Sequence, residues 1–308
     1  MFGTLFKNSL KSKVGIVDLV TKYILKQKGK KIRPLLVLLS AKVAGGITDR
    51  SFRGATLVEL LHTATLVHDD VVDNAEKRRG LPSINAVWKN KIAVLMGDYL
   101  LSRGLTIAVE GKDFDFLGII TNTVKRMSEG ELLQINKTRK LDIDEETYFR
   151  IISDKTASLL STCCEIGGGS ATDNEIYRNA LKNYGEYLGI AFQIKDDILD
   201  YVGTSSLIGK PLGADIQEKK ITLPLIYSLR NADKKESASI IKIIKKGSKK
   251  EGLKEVLKFV NKYNGIEYAY KSAEEYSNKA KNEIQIFPDS DSKTSLLNLV
   301  DFVTNREK

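Results

Sequence analysis

Leu60–Gly80 reads LLHTATLVHDDVVDNAEKRRG. Three carboxylates fall within five positions, Asp69, Asp70 and Asp73, and the adjacent Arg78 and Arg79 follow them. The residues before the cluster carry the spacing of a helix. At 3.6 residues per turn, Asp69 and Asp73 stand one above the other on one face. Unpaired like charges at that spacing cost an isolated helix roughly a few tenths of a kcal/mol. A solvated helix end would accommodate one such cluster.

A second cluster stands 127 positions further on: Phe192–Tyr201, FQIKDDILDY, repeats D-D-x-x-D with Asp196, Asp197 and Asp200. Two copies, each after an apolar helical run, suggest two carboxylate faces that meet across a cavity and are held there by divalent cation. Oxygen-only ligands without a Cys or His cluster point to Mg2+, which binds through one or two carboxylates plus substrate phosphates. The functional expectation is a diphosphate bridging the two faces through Mg2+.

Composition narrows the classes. The chain has 308 residues, 42% of them apolar, enough for a sizeable core. Only five prolines and few strand-like alternations favour an all-α chain. No apolar run is longer than the five residues of Leu35–Leu39, far short of the roughly 20 residues of a spanning helix, so no transmembrane segment is expected. The N-terminal MFGTLFKNSLKSK lacks the continuous apolar stretch of a signal peptide. Cys163 and Cys164 form no disulfide framework, so a reducing cytoplasm fits, with both thiols buried on a helix face. The net charge of +10 raises nucleic acid as a partner. The lysines between Lys234 and Lys281 alternate with Glu rather than aromatics, and no nucleic-acid-binding signature accompanies them. No nucleic acid is expected; some of the charge can steer an anionic substrate.

Along the chain, residues 3–28 read as one amphipathic helix, and Pro34 suits the first turn of the next, which runs to Gly45–Gly46. Thr48 or Asp49 can cap the helix bearing the first aspartates. A loop follows Arg79–Gly80, then helices over 82–109 and 113–137. Asp142 or Asp144 opens a helix through DKTASLLSTCC to Gly167–Gly169, and Thr172-x-x-Glu175 is a capping-box pattern. Gly203–Asp215 is the most loop-like stretch. ITLPLIY resumes a helix, and three or four Lys-rich helices complete one helical domain over residues 1–308.

Diphosphate chemistry needs protein cations too. Candidates flank both acidic motifs: Lys30 and Arg33, Arg78 and Arg79, Lys155, Lys210 and Lys220. With these in place, the chain resembles the trans-type polyprenyl diphosphate synthases, the head-to-tail prenyltransferases, over nearly its whole length. GKKIRP resembles that family's GKRxRP turn, and HTATLVHDDVVDNAEKRRG its first aspartate-rich motif. DKTA resembles its K-T pair, FQIKDDILDY its second aspartate-rich motif, and GKPLGADIQEKKITLP its G-K-x-x-G-x-D…K-x-T-L-P segment. Lys31 stands where the family usually has Arg, which weakens a bidentate phosphate contact. Lys219 stands where it often has Gly.

The resemblance implies roles. Asp69, Asp73 and Asp196 hold Mg2+ on the allylic diphosphate, with Asp70, Asp197 and Asp200 in support. Arg78, Lys155, Lys210 and Lys220 draw charge onto the leaving diphosphate. Lys30, Arg33, His62 and Arg79 hold isopentenyl diphosphate, and Thr156 and Gln193 present oxygen dipoles to the allylic cation. Where short-chain members carry bulky aromatics before the first motif, this chain has Ala64 and Thr65, with Leu61 and Val58 deeper. Val87–Gly104 resembles the octaprenyl-type branch. A medium- to long-chain product, octaprenyl, is expected, with a short-chain synthase or a non-catalytic subunit as alternatives. A homodimer of all-α bundles, each around a central cavity, completes the expectation. An H-D phosphohydrolase centred on His68–Asp69 would need more histidines than His62 and His68, and a terpene cyclase would carry a second metal motif mixing Asn, Ser and Glu.

Overall fold

The computed structural model describes the chain apart from residues 28, 203–212, 248–249 and 306–308. Lys210 therefore lies outside the described residues, as does most of the loop-like stretch from Gly203.

Helix ends follow local chemistry. Helix α4, Asp49–Val72, begins at Thr48, whose side chain accepts from the Ser51 N–H while Ser51 returns a bond to the Thr48 backbone. This capping box satisfies two otherwise orphaned donors. Ahead of it, α3 spans Ile32–Ala44 with Pro34 in its first turn, entered through Lys31 at φ 50°.

The single helix expected over 3–28 is two, α1 Phe2–Ser9 and α2 Gly15–Lys26. The Ser9 hydroxyl folds back on the Phe6 carbonyl, and the Ser12 hydroxyl accepts from the Val14 N–H, which turns the chain. Packing is the reason. Phe6, Leu10, Val20 and Ile24 all enter one apolar cluster with Leu60, Val67 and Leu100. A continuous helix would hold Phe6 and Ile24 about 27 Å apart.

After α4 comes a small hairpin where a loop is expected, Lys77–Arg78 paired antiparallel with Leu81–Pro82. Arg79 and Gly80 turn it with φ of 52° and 79°, the positive values a two-residue hairpin favours. Helix α5, Ile84–Glu110, is capped by Ser83 and interrupted at Lys89 (φ 71°). It lies along α4, where Gly104 lets Leu57 approach and Gly97 leaves room for the His68 ring. By length and composition α5 is apolar enough to cross a membrane, although no long run of consecutive apolar residues marks it. Its inner face carries Ala93, Met96 and Leu100 into the α4 cluster, the packing of a core helix.

Helix α6 spans Phe114–Lys140. Asp144, not Asp142, caps α7, Glu145–Ile152. The helix expected to continue to Gly169 is broken by a π-turn, Ser153–Ala157, before α8, Ser158–Gly169. Helix α9, Glu175–Val202, carries the second aspartates. Asn174 replaces the expected Thr172 as its cap: the Asn174 side chain accepts from the N–H groups of Ile176 and Tyr177. The short α10, Ala214–Gln217, precedes α11, Leu223–Asn231. Then come α12 Lys234–Lys245, α13 Lys250–Lys262, α14 Gly265–Ile284 and α15 Asp291–Asn305. The all-α expectation is borne out.

The residues gather into two units. The first comprises Met1–Asn122, Thr162–Lys182 and Phe287–Lys293; the second comprises Thr123–Ser161, Asn183–Ile286 and Thr294–Lys308. The core of the second is built by Ile152, Ile194, Ile198, Leu223, Val256 and Phe259. Cys163 and Cys164, neither in a disulfide, are both buried in the first.

Candidate active site

Within the first unit, a pocket is lined by Gly29, Lys30, Lys31, Arg33, Glu59, His62 and Arg79. Arg33 places Nη1 3.0 Å from His62 Nε2. A guanidinium only donates, so His62 Nε2 accepts and the ring carries its proton on Nδ1. Burial, followed by the charges of Arg33, Arg79 and Arg78, lowers the imidazole to about 2. His62 is thus a neutral part of a cationic pocket. The Arg33 Nε is buried without a hydrogen-bond partner, a donor that an incoming anion can satisfy. The Arg79 guanidinium lies close over Gly29: a Cβ there would stand 2.5 Å from its terminal nitrogen, which would have to swing aside.

The first aspartate motif divides by role. Arg78 Nε donates to Asp70 Oδ1 at 2.8 Å, and Asp70 is buried. Its carboxylate fixes the guanidinium across the turn. Asp69 is half-buried and Asp73, the C-cap of α4, is exposed.

Within the second unit, a pocket is lined by Gln134, Tyr148, Lys155, Thr156, Gln193, Asp196, Asp197, Asp215 and Lys220, with Ile151 and Ile152 among its apolar walls. Lys155 Nζ donates to Gln134 Oε1 at 2.7 Å and pairs with Glu131 at 2.5 Å. A directed chain runs alongside. Thr156 Oγ1 donates to Gln193 Oε1 at 3.0 Å, Gln193 Nε2 to Asp197 Oδ1 at 2.8 Å, and the Tyr148 hydroxyl to Asp197 Oδ2 at 2.7 Å. Because the Thr156 proton points toward Gln193, its lone pairs are left for the pocket.

Asp200 accepts from the backbone N–H groups of Ala214 and Asp215 at 3.0 and 3.1 Å, so it secures α10 and through it Asp215. Lys220 pairs with Glu218 at 2.6 Å. Burial, then the charge of Asp215, pushes the Asp197 carboxyl up to about 8, with Asp196 adding to the repulsion. Crowded carboxylates with oxygen-only donors are the environment a hard divalent cation relieves. The donor chemistry suits such an ion, although among the described residues no three such side chains are grouped closely enough to hold one by themselves; substrate phosphates would complete the coordination.

The structure thus brings Lys30, Arg33, His62 and Arg79 to one pocket, and Lys155, Thr156, Gln193, Asp196, Asp197 and Lys220 to another. Sequence reasoning gave no role to Glu59, Glu131, Gln134 or Tyr148, and carried Asp215 only as the aspartate of the G-K-x-x-G-x-D segment. Glu59 and His62 are three apart on one helix, as are Glu131 and Gln134, a shared-face signal that was available. Tyr148 offered none, because its bond to Asp197, 49 residues away, is made only by tertiary packing.

Fold and pockets together define a class first: an all-α enzyme of the isoprenoid synthase fold. The polyprenyl synthetase family profile matches residues 15–260. The octaprenyl diphosphate synthase of Haemophilus influenzae is 36% identical over 290 residues, 94% of this chain and 88% of that protein. A short chain isoprenyl diphosphate synthase of Methanothermobacter thermautotrophicus is 34% identical, over 93% and 89%. Among solved structures, a polyprenyl synthase of Caulobacter crescentus in complex with calcium and isoprenyl diphosphate superposes with a TM-score of 0.90. It shares 32% identity and covers 100% of this chain and 94% of that one. The chain belongs to the polyprenyl synthetase family, and it is a prenyltransferase that elongates prenyl chains. The phosphohydrolase and cyclase readings fall away.

Proposed function

We propose that the enzyme condenses isopentenyl diphosphate with an allylic diphosphate, using Mg2+, to make a medium- to long-chain all-trans polyprenyl diphosphate, octaprenyl being the product chosen. What supports this reading is, in the first unit, a cationic pocket whose buried Arg33 keeps one donor unsatisfied and, in the second, a pocket of carboxylates, Lys155, Thr156 and Gln193.

Lys30, Arg33, His62 and Arg79 hold the isopentenyl diphosphate. Asp69, Asp73 and Asp196 would hold Mg2+, which when bound would supply positive charge to the allylic diphosphate. Asp70, Asp197 and Asp200 support the site through Arg78, Gln193 and the α10 backbone. Arg78, Lys155, Lys210 and Lys220 draw the developing negative charge onto the leaving group. The isopentenyl double bond attacks the allylic carbon while Thr156 and Gln193 face the cation with oxygen. Loss of a proton then restores a double bond, with the departed diphosphate as its acceptor.

Buried Ala64 and Leu61, with half-buried Thr65, place no bulky aromatic on this part of α4, which supports growth past short products. The solved relative with calcium and isoprenyl diphosphate supports divalent-metal dependence. The family match spans parts of both units, which supports one functional domain. A homodimer working in the cytoplasm completes the reading.

Incubation with radiolabelled isopentenyl diphosphate, farnesyl diphosphate and Mg2+ tests it. Incorporation that disappears without divalent metal, and in Asp69→Asn and Asp196→Asn, is expected. No incorporation with any primer would instead favour a non-catalytic subunit.

A further inference from the structure

The π-turn Ser153–Ala157 is held by contacts that reach neither pocket. The Ser158 N–H bonds to the Ser153 carbonyl five residues back. The Asp154 carbonyl accepts from the Ser158 hydroxyl at 2.6 Å. One extra residue in a turn rotates the rest of the helix by about 100°, so Lys155 and Thr156 are aimed by this irregularity. A regular helix costs less, and something must hold the π form.

Arg126 on α6 does so. Its Nε donates to Asp154 Oδ1 at 2.8 Å, and its Nη2 donates to Ser153 Oγ at 2.9 Å. The same guanidinium grips Glu186 of α9 with both terminal nitrogens, at 2.7 and 3.2 Å. Ser153 Oγ closes the ring onto Glu186 at 2.5 Å. Four residues after Arg126, on the same face of α6, Gly130 lies against the turn: a Cβ there would stand 3.0 Å from Asp154 Cβ and 3.0 Å from the Lys155 nitrogen.

We propose that Arg126 and Gly130 are positioning residues for prenyl transfer: they hold the π-turn in the register that presents Lys155 and Thr156 to the pocket. Arg126 clamps the turn through two of its side chains, and Gly130 sets how closely its backbone lies on α6. Lysine cannot reproduce this grip, because four donors in a planar fork reach three partners at once. The inference rests on the roles given above to Lys155 and Thr156.

The test is single-turnover kinetics with radiolabelled isopentenyl diphosphate for Arg126→Gln and Gly130→Ala, each made in the wild-type chain and in a Lys155→Gln/Thr156→Val background. Misplacement of a catalytic group by an ångström can cost about 100-fold. In the wild-type background the expected loss of rate is about 10- to 100-fold for Arg126→Gln and about 10-fold for Gly130→Ala. KM for isopentenyl diphosphate stays within about twofold. Gly130→Ala keeps its melting temperature, since alanine favours the helix, so it carries the test even if Arg126→Gln does not fold. In the Lys155→Gln/Thr156→Val background, both substitutions cost less than about twofold more, because they act through the residues already removed. Equal losses in both backgrounds, or a folded Gly130→Ala with wild-type rate, would overturn the inference. A Lys155→Gln/Thr156→Val enzyme with undiminished rate would instead remove the roles on which it rests.

Discussion

At the scale of single residues, the cationic pocket depends on a histidine kept neutral. Folded, the His62 imidazole is held at about 2; in the unfolded chain it titrates near 6.5. Below pH 6.5 the unfolded chain binds a proton that the folded chain refuses. This contribution is therefore complete above pH 6.5 and is lost as pH falls, by about 1.4 kcal/mol per unit. His62→Gln should flatten the acid side of the stability profile. Urea midpoints at pH 5 and pH 7 should differ by less in the variant, and identical differences would rule out a buried neutral His62. Lys219 makes a second case. Its φ of 61° is a left-handed conformation costing a non-glycine residue about 1 kcal/mol. Lys219→Gly should raise stability by about 0.5 kcal/mol, read as a higher denaturation midpoint. Part of both pockets was legible in the sequence, since GKKIRP, the two aspartate motifs and K-T name Lys30, Arg33, His62, Arg79, Lys155, Thr156, Gln193, Asp196 and Asp197, whereas Glu59, Gln134 and Tyr148 lie outside them. The sequence could not supply partners: Asp70 with Arg78, Asp197 with Tyr148 and Asp200 with the α10 backbone are consequences of packing.

At the scale of elements, hydrophobic periodicity found the helices, and capping chemistry found some of their ends. Thr48 was legible because its hydroxyl acts within three residues. The break between α1 and α2 was not, because local propensity allows a continuous helix and only burial of Leu10 against α4 and α5 favours the turn. The π-turn was equally hidden, since DKTA reads as ordinary helix. Its neighbours show how closely it is held. A Cβ on Gly189 would come within 2.5 Å of Ala157 Cα, backbone against backbone with no side chain to swing aside. Gly189→Ala should therefore destabilise the protein by about 1–3 kcal/mol, although alanine is the better helix former. A thermal midpoint at or above wild type would contradict that packing.

At the scale of the whole molecule, the open quantity is how far the prenyl chain grows. The two relatives compared make octaprenyl and short-chain products at nearly equal identity, 36% and 34%, so overall likeness does not decide length. Ala64 is buried on α4 five residues before Asp69. Ala64→Phe should shorten the products by several units; an unchanged pattern would remove α4 from the control of length. The net charge of +10 should make the KM for isopentenyl diphosphate rise with salt. The most direct measurement is to size the products that the isolated chain makes from radiolabelled isopentenyl diphosphate and farnesyl diphosphate with Mg2+. A ladder ending near eight isoprene units is the predicted result, and products stopping at three or four would contradict an open path past Ala64 and Thr65.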